Sequence, residues 1–438
     1  MFIRKLFPAI GQQRKPSSQV RLGRVEGSFF KSEKLTDEEL NHHVHIVGAS
    51  GFGKTVLLTK ILKSRIKANH GCLWLDLKGD KETIESMIQT VKEAGREQDL
   101  QIFSLTDIAT SSNYNLLNEG NATELRDRIM GALEWSEEFY KGQAALYLLR
   151  ILTVLCHIRK ETKESFDLHD LYNACTDEGA VFNLTQKVSK EHPKIKTLAE
   201  QCYHYLTAKE TSGNLQGLVS QLESFLLASF GERLKKSKEG INLYEAVNQQ
   251  KIVFIFLDTR RYKFTGTALA KFIVKDLIAT SARIDAEIPK AQRKPFVCFI
   301  DEFADIADED FTAFPDRARS SKMSLVLSHQ ELSDLKKVSD TFAARLTANM
   351  ATLYAFLQSN QESAETISQR AGTKTTWKTT KRTQRVLFWD VSTGESSMRE
   401  VEEFNVHPNV VKSLTVGRCV CIKKYPHARA HIVRVDEK

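Results

Sequence analysis

The run His45-Ile46-Val47-Gly48-Ala49-Ser50-Gly51-Phe52-Gly53-Lys54-Thr55 places an apolar strand before a glycine-rich turn, and a helix-forming stretch, Val56 to Ile66, follows it. Few chains can meet this succession except as a phosphate-binding loop. Glycines let backbone amides turn inward around an anion, and the N-terminus of the following helix adds its dipole. Residues 48–55 match G-x-x-x-x-G-K-[ST] in that strand–turn–helix context. Gly48, Ala49, Ser50, Gly51, Phe52 and Gly53 are therefore expected to wrap a β-phosphate. Lys54 reaches the β- and γ-phosphates, and the Thr55 hydroxyl ligates Mg²⁺. The bland alternative is a chance glycine turn ahead of a helix, which leaves the Lys-Thr pair without a reason.

A second run supplies what hydrolysis needs. Pro295-Phe296-Val297-Cys298-Phe299-Ile300-Asp301-Glu302-Phe303 is a short apolar stretch closing in two acids, the pattern of a buried strand in a parallel sheet. Asp301 at its end is expected to hold Mg²⁺ through water, and Glu302 to polarise the water that attacks the γ-phosphate. Alone, the same residues read as a strand with a solvated acidic turn. The sequence carries no Asn-Lys-x-Asp pattern for guanine, which favours ATP.

Composition sets outer limits. At 438 residues, 41% hydrophobic and 27% charged, the chain has material for two domains with ordinary soluble cores. Its longest apolar runs, Ile252–Leu257 and Phe296–Ile300, fall far short of the ~20 residues that span a bilayer. The opening Met1-Phe2-Ile3-Arg4-Lys5-Leu6 mixes basic and apolar residues without an extended apolar core, so no signal peptide is read there. Cys72, Cys156, Cys175, Cys202 and Cys298 are scattered, and only Cys419-Val420-Cys421 is close, its spacing pointing both thiols to one face of a sheet. That usage fits a reducing cytoplasm and gives no zinc pattern. A net charge of +8 is compatible with an anionic partner without requiring one.

The order of patterns divides the chain. After a basic segment at 1–20, Arg21 begins an α/β stretch with a strand over Gly71–Asp80 that ends in charge, a strand at Gln101–Leu105 and a helix at Lys81–Ala94. From 122 to 248 apolar residues recur at three- and four-residue spacings, as at Leu146, Leu149, Ile151, Leu152 and Leu155, and at Leu215, Leu218, Val219, Leu222, Phe225 and Leu226. We read an all-α insertion there. The α/β grammar returns at Lys251–Asp258, with strands also at Ser324–Ser328 and Thr352–Leu357 and a helix near Ala268–Ile284. A β-hairpin is expected where Thr383–Val391 and Ser396–Phe404 flank Ser392-Thr393-Gly394-Glu395.

With these elements stand Leu75-Asp76-Leu77-Lys78-Gly79-Asp80, Tyr114-Asn115-Leu116-Leu117, Asp316-Arg317-Ala318-Arg319, Ser328-His329-Gln330 and Glu362-Ser363-Ala364-Glu365 running to Arg370-Ala371-Gly372. In this order and spacing, from Arg21 to about Lys424, the chain resembles the soluble part of type IV coupling proteins. These are hexameric DNA-pumping ATPases of conjugation and type IV secretion, within the translocase group that includes the FtsK and HerA types. The resemblance implies a RecA-like P-loop domain with a central, mainly parallel sheet, formed by 21–121 and 249–438, around the inserted helices at 122–248. It implies ATP and Mg²⁺ as cofactors, a homo-oligomeric ring, DNA held largely without regard to sequence, relaxosome or secretion-substrate proteins as partners, and work at the inner face of the cytoplasmic membrane. Many members carry N-terminal membrane helices that this sequence does not show.

Two further roles follow from that resemblance. Gln330, ending a strand, is expected to sense the γ-phosphate, although a lone Gln after a strand is more often a polar loop residue. Arg319 is expected to reach a neighbouring subunit's transition state, with Arg370 as a second choice; most such arginines make only surface pairs. The stretch Arg370–Arg385 holds six basic residues and no acid around Trp377. That mix suits phosphate contact and base stacking, or a solvated loop. Two other readings stay open: a HerA- or FtsK-like translocase in repair or defence, and a non-hydrolysing adaptor that recruits secretion substrates.

Overall fold

The computed structural model describes residues 19–386 and 389–436, with side chains described except at 212 and 379–397. The basic segment read at 1–20 lies outside the described residues except for Gln19 and Val20. In chain order the strands are β1 (Gln19–Val25), β2 (Ser32–Thr36), β3 (Val44–Val47), β4 (Gly71–Asp76), β5 (Leu100–Ser104), β6 (Ile252–Phe256) and β7 (Phe296–Ile300). They continue with β8 (Met323–His329), β9 (Thr352–Ala355), β10 (Thr373–Val386), β11 (Trp389–Phe404), β12 (Arg418–Lys423) and β13 (Arg429–Val435). Two compact units share them, residues 1–61 with 326–438, and residues 62–325.

In the unit 62–325 the strands run in the order β7-β4-β6-β5, and each neighbouring pair is parallel. Every residue of β4, β6 and β7 is buried. Burial on both faces explains why their sequences are continuous apolar runs without alternation. From Ala122 to Gln249 all regular elements are helical. Their starts are written locally: Asn121 with Glu124, and Asp167 with Asp170, form capping boxes that satisfy otherwise orphaned helix amides. On the helix Glu138–Thr162 the buried face is Ala144, Tyr147, Leu148, Ile151, Leu152 and Leu155. Leu146, expected inside, is 46% exposed, because the 3.6-residue period carries it off that face. The chain leaves for these helices and returns from them side by side. The Tyr114 amide donates to the Arg233 carbonyl and the Ile241 amide to the Asn113 carbonyl, both at 2.7 Å.

Just beyond that crossing, Tyr114 donates its hydroxyl to Asp276 Oδ2 at 2.8 Å, and Arg128 pairs with Asp276 Oδ1 at 2.9 Å. The Asn115 side-chain amide donates to the Phe166 carbonyl at 2.8 Å while its oxygen caps the Leu117 amide at 3.0 Å. Tyr114-Asn115-Leu116-Leu117 is thus a buried joint, with its polar groups satisfied so that the aromatic and the leucines can go inside.

In the other unit the order is β2-β1-β13-β12-β9-β3-β8. β3 lies parallel to both β8 and β9, whereas β12, β13, β1 and β2 continue antiparallel. A buried polar knot holds this arm. Lys423, fully buried, reaches Glu33 at 2.7 Å and Glu39 at 2.9 Å. Tyr354 donates to Glu33 and His431 lies against it, both at 2.9 Å. Burial opposes ionisation of Glu33, but His431 and Lys423 outweigh it and hold its carboxyl down to about 2.

β10 and β11 pair antiparallel as expected of a hairpin, but Val386 lies opposite Trp389 and Ser392–Glu395 falls within β11 rather than forming the turn; residues 387–388 lie outside the described residues. The register instead shifts between Lys381, opposite Ser396, and Thr383, opposite Ser392. Ser-Thr-Gly-Glu is a turn-like sequence that marks an irregularity in the ladder here. Among the described residues no helix is long and apolar enough to cross a membrane.

Candidate nucleotide site

The glycine-rich loop hangs between strand ends of its own unit. The Gly48 amide donates to the Gln330 carbonyl at 2.8 Å, Ala49 donates to Leu357 at 2.9 Å, and Gly417 donates to the Phe52 carbonyl at 3.1 Å. β3 thus delivers the loop, the residues after β8 and β9 fix its start, and the turn before β12 fixes its middle. Gly48, Gly51 and Gly53 all have positive φ, of 154°, 81° and 113°, which L side chains rarely adopt. At Gly48 space forbids one as well, since an added Cβ would lie 2.4 Å from Phe356 Cβ.

Lys54 opens the helix Lys54–Lys67 and folds back over the loop, donating to the Gly48 and Ala49 carbonyls at 2.5 and 3.2 Å. A buried ammonium on two carbonyls, at the mouth of a turn lined by amides, fits a polyphosphate whose oxygens take over the cation. Thr55 is exposed beside it. Behind the loop, His45 on β3 and His329 on β8 meet Nε2 to Nε2 at 2.6 Å, both fully buried. Burial first, then the neighbouring ring and Arg370, hold His45 well below the usual histidine range. The loop begins three residues after His45, and Gln330 directly follows His329.

Within the unit 62–325, β7 ends at Asp301 and Glu302, each 6% exposed. The Asp301 amide donates to the Leu75 carbonyl and its Oδ1 accepts the Glu302 amide, both at 3.0 Å. Glu302 adopts the left-handed conformation, φ 54°, a strained turn that aims a side chain where a regular strand end cannot. Its carboxylate pairs with the Lys78 ammonium. Lys78 follows β4, where Asp76 Oδ1 accepts the Lys78 amide at 2.7 Å. Burial pushes Asp76 up to about 6, the Lys78 and Gly79 amides opposing it and the Asp301 charge adding to it. Burial pulls Lys78 down, yet Glu302, Asp301 and Asp76 together raise it. Three acids around one ammonium is a donor set suited to a hydrated divalent cation and to a base held in reserve.

Gln330 is exposed and tied to Gly48 through its carbonyl, so structure brings it to the loop. Arg319 is exposed in the last turn of the helix Phe314–Ser320. Arg370 is spent inside its own unit, donating to the Thr347 and Met350 carbonyls, which argues against it as an arginine for a neighbour. Of the basic stretch, Trp377 is 62% exposed and Lys378 pairs with Glu403 at 2.6 Å; the side chains of Lys381, Arg382 and Arg385 lie outside the described residues. Sequence reasoning quoted Asp76 and Lys78 without a role for either. Charged residues directly after a buried apolar strand were the available signal.

The loop, its flanking parallel strands and the acid pair define a P-loop nucleotide-binding protein of RecA-like α/β fold with an added helical region. Residues 295–412 match the family described as the TraM recognition site of TraD and TraG. The type 4 coupling protein DotL of Legionella pneumophila is 24% identical over 383 residues, 74% of this chain and 49% of DotL. The chain therefore spans about half the length of that relative. In fold it is similar to the bacterial conjugative coupling protein TrwB in unbound form, TM-score 0.65 at 15% identity, covering 97% of this chain and 90% of that one. TrwB in complex with ADP and Mg²⁺ matches with a TM-score of 0.63 at 15% identity, covering 96% and 93%. The chain is related to the type IV coupling proteins.

Proposed function

We propose that this chain is the ATP-hydrolysing motor part of a type IV coupling protein, moving DNA, or protein attached to DNA, towards a secretion channel. The observation that supports the reading best is the pair of features a hydrolytic site needs, a lysine on the glycine-rich loop and a buried acid pair. Lys54 stands on the loop carbonyls, Thr55 lies beside it, and Asp301 and Glu302 close a buried strand with Lys78 on the glutamate. An adaptor that only recruits substrates has no use for a strained, buried Glu302. In this reading Gly48–Thr55 and Lys54 hold ATP, Thr55 and Asp301 serve Mg²⁺, Glu302 is the base, and Gln330 reports the γ-phosphate.

Arg319 acts on a neighbour's nucleotide in a hexameric ring, and the basic β10 segment contacts DNA phosphates largely without base readout. The division into a RecA-like domain, 21–121 and 249–438, and a helical insertion, 122–248, belongs to the same proposal, the insertion meeting relaxosome or substrate proteins at the cytoplasmic face of the membrane. One experiment tests it: ATP turnover per subunit across protein concentration, with and without DNA, for wild type, Lys54→Ala and Glu302→Gln. Turnover should rise with DNA and with concentration. Glu302→Gln should keep nucleotide binding and lose turnover, while Lys54→Ala loses both. A wild-type chain that binds ATP but does not hydrolyse it under any of these conditions overturns the motor reading in favour of the adaptor.

A further inference from the structure

We infer that His157, Glu161 and His192 form a binding site for a divalent transition-metal ion within the helices between Ala122 and Gln249. His157 and Glu161 sit four residues apart on the helix Glu138–Thr162, so their side chains share one face. His192 immediately precedes the helix Pro193–Thr207 and occupies its N-cap, yet makes no capping hydrogen bond. Its ring instead meets that of His157, with centroids 4.5 Å apart and planes at 67°. The candidate ligand atoms of the three residues all lie within 4.8 Å of one another. Tetrahedral ligands on bonds of about 2.0–2.2 Å stand roughly 3.4 Å apart, a difference within reach of side-chain rotation.

The backbone beneath is already fixed. Val154, Ile158, Val188 and Ala199 are buried together, with Leu184, Ile195 and Leu198 packed on them, so the helix, the segment before His192 and the helix after it converge on one apolar cluster. Two imidazoles and one carboxylate, with a coordination position left for water, suit zinc, cobalt or nickel better than magnesium or calcium. The other candidate group, Glu33, Cys421 and His431, carries no such inference, because the Lys423 ammonium already sits on Glu33. A bound ion would staple the end of the helix Glu138–Thr162 to the start of the helix Pro193–Thr207, across the helices Leu168–Thr176 and Glu178–Lys187 that lie between them in the chain.

The site owes nothing to the nucleotide reading, so either can fail alone. The test uses the full chain, stripped with chelator and free of nucleotide, titrated with cobalt(II) and followed by visible absorption, by equilibrium dialysis and by melting temperature. One ion per chain should bind at micromolar metal, with bands of tetrahedral or five-coordinate intensity and a rise in melting temperature that chelator reverses. His157→Gln, Glu161→Gln and His192→Ala should each weaken binding at least tenfold, by analogy with the ~10–100-fold lost when even a supporting partner is removed. Because His192 caps nothing, His192→Ala should melt like metal-free wild type. Wild type that binds no ion, or variants that bind as wild type does, overturns the site.

Discussion

Asp76→Asn isolates the electrostatics of the buried acids after β4 and β7. Asp76 is 3% exposed and its carboxyl is raised from 3.8 to about 6, burial first and Asp301 second among the causes that raise it. Between those two values the folded chain binds the proton that the unfolded chain has released, so through Asp76 stability falls as pH rises across that window and stays lowered above it. At about 1.36 kcal/mol per pH unit, the loss is under about 1 kcal/mol at pH 4 and about 3 kcal/mol above pH 7. Asn keeps an oxygen for the Lys78 amide, which Asp76 accepts at 2.7 Å, and removes the titration. The advantage of Asp76→Asn over wild type should therefore grow by about 2–3 kcal/mol between pH 4 and pH 7.5, which in a unit of this size is about 5–10 °C in melting temperature. Differential scanning calorimetry of both chains across that pH range, with chelator and without nucleotide, measures it. A difference that is flat with pH, or that shrinks as pH rises, refutes the reasoning.

Two further substitutions probe the same machinery. Gly48→Ala should remove nucleotide binding and cost about 1–3 kcal/mol, the range for overpacking, because the new Cβ meets Phe356 at a φ of 154°; unchanged affinity for a fluorescent ATP analogue would contradict the loop geometry. Lys78→Met leaves Glu302, Asp301 and Asp76 without their shared cation. Since Lys78 is about a third exposed, the destabilisation should be about 1–3 kcal/mol, short of the 3–5 of a fully buried pair. It should be larger at pH 8 than at pH 5, and melting curves at the two values decide it.

The parts legible in the sequence were those with local causes. The strands at β4, β6 and β7 follow from continuous apolar runs, and the helix after Lys54 and the helices between Ala122 and Gln249 from signals within a few residues, the glycine-rich turn or apolar periodicity. The antiparallel arm was not legible. Its strands come from opposite ends of the chain, as when Val25 of β1 pairs with Val433 of β13, and it is locked by Glu33, Lys423 and His431, which look like surface charges when read singly. The same holds for the candidate site. Lys54 and Asp301 declare themselves by motif, whereas the Lys78 pair with Glu302 and the His45 contact with His329 exist only once distant strands are placed side by side. The pairing was legible but its register was not, because Ser392–Glu395 has turn chemistry and yet lies inside the strand β11.

The stitched crossing at Asn113–Tyr114 and Arg233–Ile241 makes the helical insert, seen from the strands, a closed loop whose two feet stand together. The length of that loop changes little that β5 and β6 can feel, since closing a longer loop costs only about 0.6 kcal/mol per doubling. Insertions into the loops between the feet are therefore cheap, whereas changes at the feet, or at Arg128, whose buried pair with Asp276 ties the first of these helices to the helix Lys263–Glu287, are expensive. A chain built this way can change what its helices recognise while its phosphate-binding loop and acid pair stay as they are, and a transplant cut at those two hydrogen bonds should carry the helices to another host as a unit.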